Sequence, residues 1–146
     1  RHPDPGDLFG GATPMGMVLI AAAYTFGGAA LIAARVIHWR MPLAFIAGLG
    51  GAAALTYVVA GGELATPSFH LLNGAAAVVA FFIVTDPVTA PVSPVAQWCF
   101  AGAIGVLVVA IRTWGDYAEG AAFAVLAGNM LTPALDRWLV HRPDSA

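Results

Sequence analysis

The sequence predicts an all-α integral membrane protein built as a bundle of about five transmembrane helices, and three observations carry that prediction. Of 146 residues, 60% are hydrophobic and only 10% are charged, against roughly 25% charged residues in a soluble globular domain. The chain has no lysine, and its six arginines stand near the ends of apolar runs, where a long side chain reaches the headgroup layer. Five segments approach the ~20 apolar residues needed to cross a hydrocarbon core of about 30 Å. None alternates polar and apolar residues with the period of two that a membrane barrel requires.

In chain order the segments are Met15 to Ala34, Met41 to Ala60, Phe69 to Val84, Ala96 to Ile111 and Gly120 to Leu139, joined by short connections rich in Gly, Pro and acidic residues. They divide the chain into an external loop over 1–14, a transmembrane domain over 15–140 and a cytoplasmic tail over 141–146. Thr13 and Pro14 suit the start of the first helix, as an N-cap hydroxyl followed by a residue with no N–H to leave unpaired. The third and fourth runs are short. The third is read as a full crossing, with a half-helix around Thr66 to Asn73 that enters and leaves from one side as the alternative.

Arginine placement in the short loops sets the orientation. Arg35 and Arg40 bracket the first connection and Arg137 and Arg142 follow the last helix, which puts both on the cytoplasmic side and the N-terminal segment outside. The connections over 61–68 and 112–119 suit the external side, with Arg112 the one dissenting charge. His38 and the tryptophans Trp39, Trp98, Trp114 and Trp138 fall near helix ends, as an interfacial belt requires. The chain begins at Arg1 with no secretory leader pattern, and reads as part of a longer polypeptide.

A net charge of -2 and the absence of a basic cluster exclude nucleic acid as a partner. The single Cys99 excludes an internal disulfide and argues against a cysteine metal site; within its apolar run it is expected to be a small core residue. The 17 glycines, with Gly48, Gly50 and Gly51 in one helix and Gly102 and Gly105 in another, are expected to let helix backbones approach closely, since lipid provides no hydrophobic drive for association.

Polar groups at membrane depth need a partner or a purpose. Asn73 and Asn129 suit interhelical hydrogen bonds, Asp86 a cap or turn before Pro87, and Glu119 and Asp136 the borders of the last helix. Asp86, Asn129 and Glu119 are at the same time the candidates for an ion pathway. Arg112 and Arg137 are expected at the interface. Trp114 and Tyr117, on the external side with Thr13, are candidates to stack on an aromatic cofactor.

The segment Asp7-Leu8-Phe9-Gly10-Gly11-Ala12-Thr13 offers a hydroxyl at a helix start, where free N–H groups and the dipole favour a phosphate. Gly11-Ala12-Thr13, with Asp7 six residues before the threonine, resembles the flavinylation motif of the RnfD/NqrB family. Phe81 through Thr85-Asp86-Pro87 to Pro91 resembles that family's stretch around a Thr-Asp-Pro turn. Resemblance extends to Ile111-Arg112, to the block from Gly115 to Leu126, and to Asn129 through Pro133 to Asp136, the last block being closer to RnfD than to NqrB. Gly10 stands where the family usually has Ser or Thr.

The resemblance implies a C-terminal half, expected to be one half of an inverted-repeat ten-helix fold. It implies a flavin-carrying membrane subunit, not catalytic alone, of an Rnf-type complex that passes electrons between ferredoxin and NAD, coupled to sodium or proton transport. FMN is then held on Thr13 through a phosphoester made by a flavin transferase, with Asp7, Gly11 and Ala12 as the motif around it, and a second flavin is a further candidate cofactor of the full-length protein. The implied partners are the other membrane and iron–sulfur subunits and the lipid of a bacterial inner membrane, with Thr13 on the periplasmic side and the C-terminus cytoplasmic. A rival class is half of a passive channel or secondary transporter with no redox role, since interrupted five-helix units also build transport folds.

Overall fold

The computed structural model describes residues 15–62, 64–72, 74–115 and 120–140, and every regular element among them is helical. Helix α1 spans Met15–Ala33, α2 Arg40–Val59, α3 Pro67–Leu72 and α4 Gly74–Val78. A π-helical turn, Val79–Ile83, continues α4, and α5 (Pro94–Trp114) and α6 (Gly120–Val140) complete the chain. The five runs expected from the sequence all appear within a few residues of their expected ends. Two helices, α2 and α5, are long and apolar enough to cross a membrane, while the apolar stretches of α1 and α6 are shorter, Val18–Ala33 and Gly120–Leu135.

The ends of α1 and α2 share one backbone solution. Val36 N–H donates to the Leu31 carbonyl at 3.0 Å and Arg35 N–H to Ile32 at 2.9 Å, and Gly62 and Gly61 repeat the pattern onto Tyr57 and Val58 at 3.0 and 3.2 Å. Both are Schellman closures, in which a left-handed residue lets the last carbonyls find donors. Gly61 takes that conformation at φ 65° without steric cost, whereas Arg35 takes it at φ 57° with a side chain.

Packing follows from small residues where helices cross. The closest pair is α2 against α5, where a Cβ on Gly105 would lie 2.5 Å from the Phe45 carbonyl and 2.6 Å from Leu49 N, and one on Gly48 would overlap Gly102. The expected close approach therefore holds for Gly48, Gly102 and Gly105. Gly51 is different: a Cβ there meets nothing within 4 Å, so it faces outward. Gly28 of α1 sits against the Phe81 ring of the π turn, which a side chain would displace. Phe45, Leu49, Phe100, Ile104 and Val108 fill the centre of the bundle.

Cys99 is exposed, contrary to the expected core position. The buried face of α5 runs through Ala96, Phe100, Ala101, Ile104 and Val108, and Cys99 lies off that face. An apolar run in lipid is hydrophobic all round, so hydrophobicity alone does not tell the packed side from the lipid side. Phe26, Val59 and Met130 are likewise among the most exposed apolar side chains.

Arg112 at the end of α5 reaches α3, while Thr132 in the second half of α6 reaches the connection over 84–93. Because α6 starts beside Ile111 and Arg112, these contacts lie at opposite ends of the bundle. The segment from Pro67 to Ile83 thus runs from one end to the other, as the full-crossing reading expects, rather than returning to the end it left. The same order puts the starts of α1 and α6 with the ends of α2 and α5.

Candidate functional site

The connection between the π turn and α5 forms one wall of a pocket of about 410 Å³. It starts with Val84, whose N–H bonds back to Val79 at 2.9 Å, the wide spacing of a π turn. Thr85 turns its hydroxyl to the Phe81 carbonyl at 2.7 Å. Asp86 then closes the bend: its Oδ1 accepts Val88 N–H at 3.0 Å, and its main-chain carbonyl accepts Ala90 N–H at 2.9 Å. This is the turn role expected of Asp86, and the side chain stays half-buried.

Thr85, Asp86 and Thr89 line the pocket from this wall, and Asn129 of α6 lines it from another. Two of the ion-pathway candidates, distant in sequence, therefore meet in one cavity. The rest of the lining is apolar and includes Leu31, Ile37, Phe82 and Pro87, so Asp86 is the one charged residue of the lining among the described residues. One carboxylate and several oxygens against an apolar wall attract a hard cation and repel an anion. Among the described residues no group of three His, Cys, Asp or Glu gathers as metal ligands. Liquid water occupies about 30 Å³ per molecule, and the volume admits an ion with part of its hydration shell.

Two further residues of the block from Asn129 to Asp136 stand next to the pocket lining without a site role expected from the sequence. Thr132 Oγ1 donates across to the Thr89 carbonyl at 3.1 Å and also lies 3.4 Å from the Gly128 carbonyl of its own helix. Pro133 stands inside α6 and has no N–H to give to the carbonyl of Asn129, four residues back. The sequence does hold a signal for them, a proline within an apolar run, preceded by threonine.

At the opposite end Trp114 closes α5 and is 74% exposed, open to a planar partner. Arg112, expected at the interface, stands near the end of α5 and is half-buried, with Nη1 at 3.4 Å from the His70 carbonyl. His70, which no sequence motif singles out, is buried and sits edge-to-face with Phe69 at 5.8 Å. Trp39 and Trp98 form an edge-to-face pair at 6.4 Å at the other end, in keeping with an interfacial belt. Thr13, Asp7, Gly11, Ala12, Tyr117, Glu119 and Asn73 lie outside the described residues, as does the side chain of Asp136.

Residues 3–144 match the family described as NQR2, RnfD, RnfE. The chain is 39% identical over 136 residues to an ion-translocating oxidoreductase complex subunit of Yersinia pestis, covering 92% of this chain and 39% of that protein. It is 41% identical over 134 residues to the subunit of the same name in Vibrio cholerae, covering 92% of this chain and 38% of the relative. With the Vibrio atlanticus protein of that name the identity is 41% over 128 residues, at 88% and 37% coverage. The chain thus spans less than half the length of these curated relatives.

Proposed function

The chain belongs to the NQR2, RnfD, RnfE family, and on that premise we propose that it is the flavin-carrying portion of a membrane subunit in an Rnf-type ion-translocating oxidoreductase complex. The observation that carries the reading is the family match over 3–144, which takes in both the Gly11-Ala12-Thr13 motif and the Asp86 turn. The relatives' shared name, that of an ion-translocating oxidoreductase component, supports a redox role over a passive channel.

In this reading the protein crosses the bacterial inner membrane five times, with Thr13 on the periplasmic side and the C-terminus in the cytoplasm. FMN is attached to the Thr13 hydroxyl through a phosphoester made by a flavin transferase, and it supplies the electron-carrying chemistry of the subunit. What this chain's own residues contribute is position. α1 starts at the same end of the bundle as Trp114, and Thr13 precedes Met15 by two residues. Trp114 has an open aromatic face for an isoalloxazine ring, with Tyr117 as its companion in sequence. The other membrane and iron–sulfur subunits deliver and remove electrons.

The pocket of Asp86 and Asn129, at the other end, serves the transported cation, sodium or proton, and Glu119 belongs to the external part of that pathway. The flavin tether and the Asp86–Asn129 pocket therefore stand at opposite ends of one bundle, and the pathway runs between them toward Glu119. The test is in-gel flavin fluorescence of the full-length protein made with its transferase. The native band fluoresces under denaturing conditions and the Thr13→Ala band is dark; an equally bright Thr13→Ala band rejects the tether.

A further inference from the structure

We infer that Thr132 and Pro133 form the positioning element of the Asp86–Asn129 pocket, holding the turn that carries Asp86 against α6 and leaving a main-chain oxygen of α6 available to a cation. The inference rests on reading that pocket as part of the ion pathway.

Two independent features lead to it. Thr132 Oγ1 carries one proton and stands near two carbonyls, Thr89 at 3.1 Å and Gly128 at 3.4 Å. A threonine in a membrane helix ordinarily gives its proton to its own helix, as Thr25 gives to Ala21 at 2.7 Å and Thr85 to Phe81 at 2.7 Å. At Thr132 the shorter contact runs instead across 43 positions of sequence to the pocket wall. This side-chain hydrogen bond ties α6 to the connection after the π turn.

The second feature is the next residue. Pro133 cannot donate, so the carbonyl of Asn129 lacks its helical partner. A carbonyl without a donor is costly at membrane depth unless water or a cation meets it. Asn129 borders a cavity that also holds Thr85, Asp86 and Thr89, so both can reach it there. The two adjacent residues thus act on the two walls: Thr132 fixes Thr89, and Pro133 frees the oxygen of Asn129. The competing Gly128 carbonyl gives the Thr132 hydroxyl a second place to go, so the tie can be released without breaking the helix.

The test uses the full-length protein in its complex, reconstituted in proteoliposomes. A voltage-sensitive dye reports charge moved and donor oxidation reports electrons passed, so their ratio is independent of which cation is carried. Thr132→Val keeps the shape and removes the proton; the ratio falls roughly two- to tenfold, the factor expected for one lost hydrogen bond, and Thr132→Ser restores it. Pro133→Ala supplies an N–H to Asn129, so the ratio falls although the thermal midpoint of the protein rises; a purely structural residue moves both in one direction. An unchanged ratio in Thr132→Val and Pro133→Ala, with a lowered ratio in Asp86→Asn, overturns the inference and leaves the pathway reading standing. An unchanged ratio in Asp86→Asn as well overturns both.

Discussion

Asp86 meets two demands with different atoms. Oδ1 holds the turn through Val88 N–H, while the charge of the carboxylate addresses the pocket. Asn in its place keeps the acceptor and removes the charge, so Asp86→Asn is expected to fold normally and move less charge per electron in reconstituted complex; full coupling in this variant counts against the pathway. Trp114 invites a parallel test. If its open ring stacks on the flavin, Trp114→Ala keeps the covalent cofactor but brightens its fluorescence, and an identical emission spectrum and yield argues that the ring is elsewhere. The turn made by Asp86 and the exposed helix-end position of Trp114 are legible in the sequence because a charge before proline and a tryptophan at a helix end are locally unusual. Thr132 is not, since a threonine shows its partner only when a residue 43 positions away is folded against it.

Among the helices, the extent of each run is legible to within a few residues because lipid demands length and internally paired backbone. The faces are not: Cys99 is expected in the core and is exposed, and Gly51 is expected at a contact that it does not make. Glycine content marks that helices approach, whereas which glycine is at the crossing depends on helix rotation. A paired substitution separates the two. Gly105→Ala places a methyl 2.5 Å from the Phe45 carbonyl and should cost about 1 to 3 kcal/mol of stability, whereas Gly51→Ala should be neutral or gain up to about 1 kcal/mol. Thermal unfolding in detergent decides it, and equal midpoints for the two variants contradict the α2–α5 crossing. The closure of α1 gives another case. Arg35 bears a left-handed backbone that glycine takes freely, so Arg35→Gly is expected to stabilise the helix end by about 0.5 kcal/mol after glycine's larger chain entropy is deducted. A lowered midpoint would mean that the guanidinium itself anchors this end.

Taken as one body, the bundle places the exposed Trp114 at one end and the pocket of Asp86 and Asn129 at the other. Family membership is legible in the order of motifs from Thr13 to Asp136, because those blocks are tied to chemistry and turns rather than to hydrophobicity. The meeting of Asp86 with Asn129 is not, since it depends on how α6 lies beside the π turn. Orientation is open to a direct test: in a Cys99→Ala background, an impermeant thiol reagent should label Leu64→Cys from the periplasm and Val36→Cys only from the cytoplasm. Labelling of both from one side rejects the five-crossing arrangement. Whether the protein carries flavin at all is decided by peptide mass spectrometry of the full-length chain co-expressed with a flavin transferase. A flavin-carrying subunit shows the mass of FMN, less water, on the peptide containing Thr13. That peptide at its unmodified mass, beside a control substrate that the same transferase has flavinylated, contradicts the assignment.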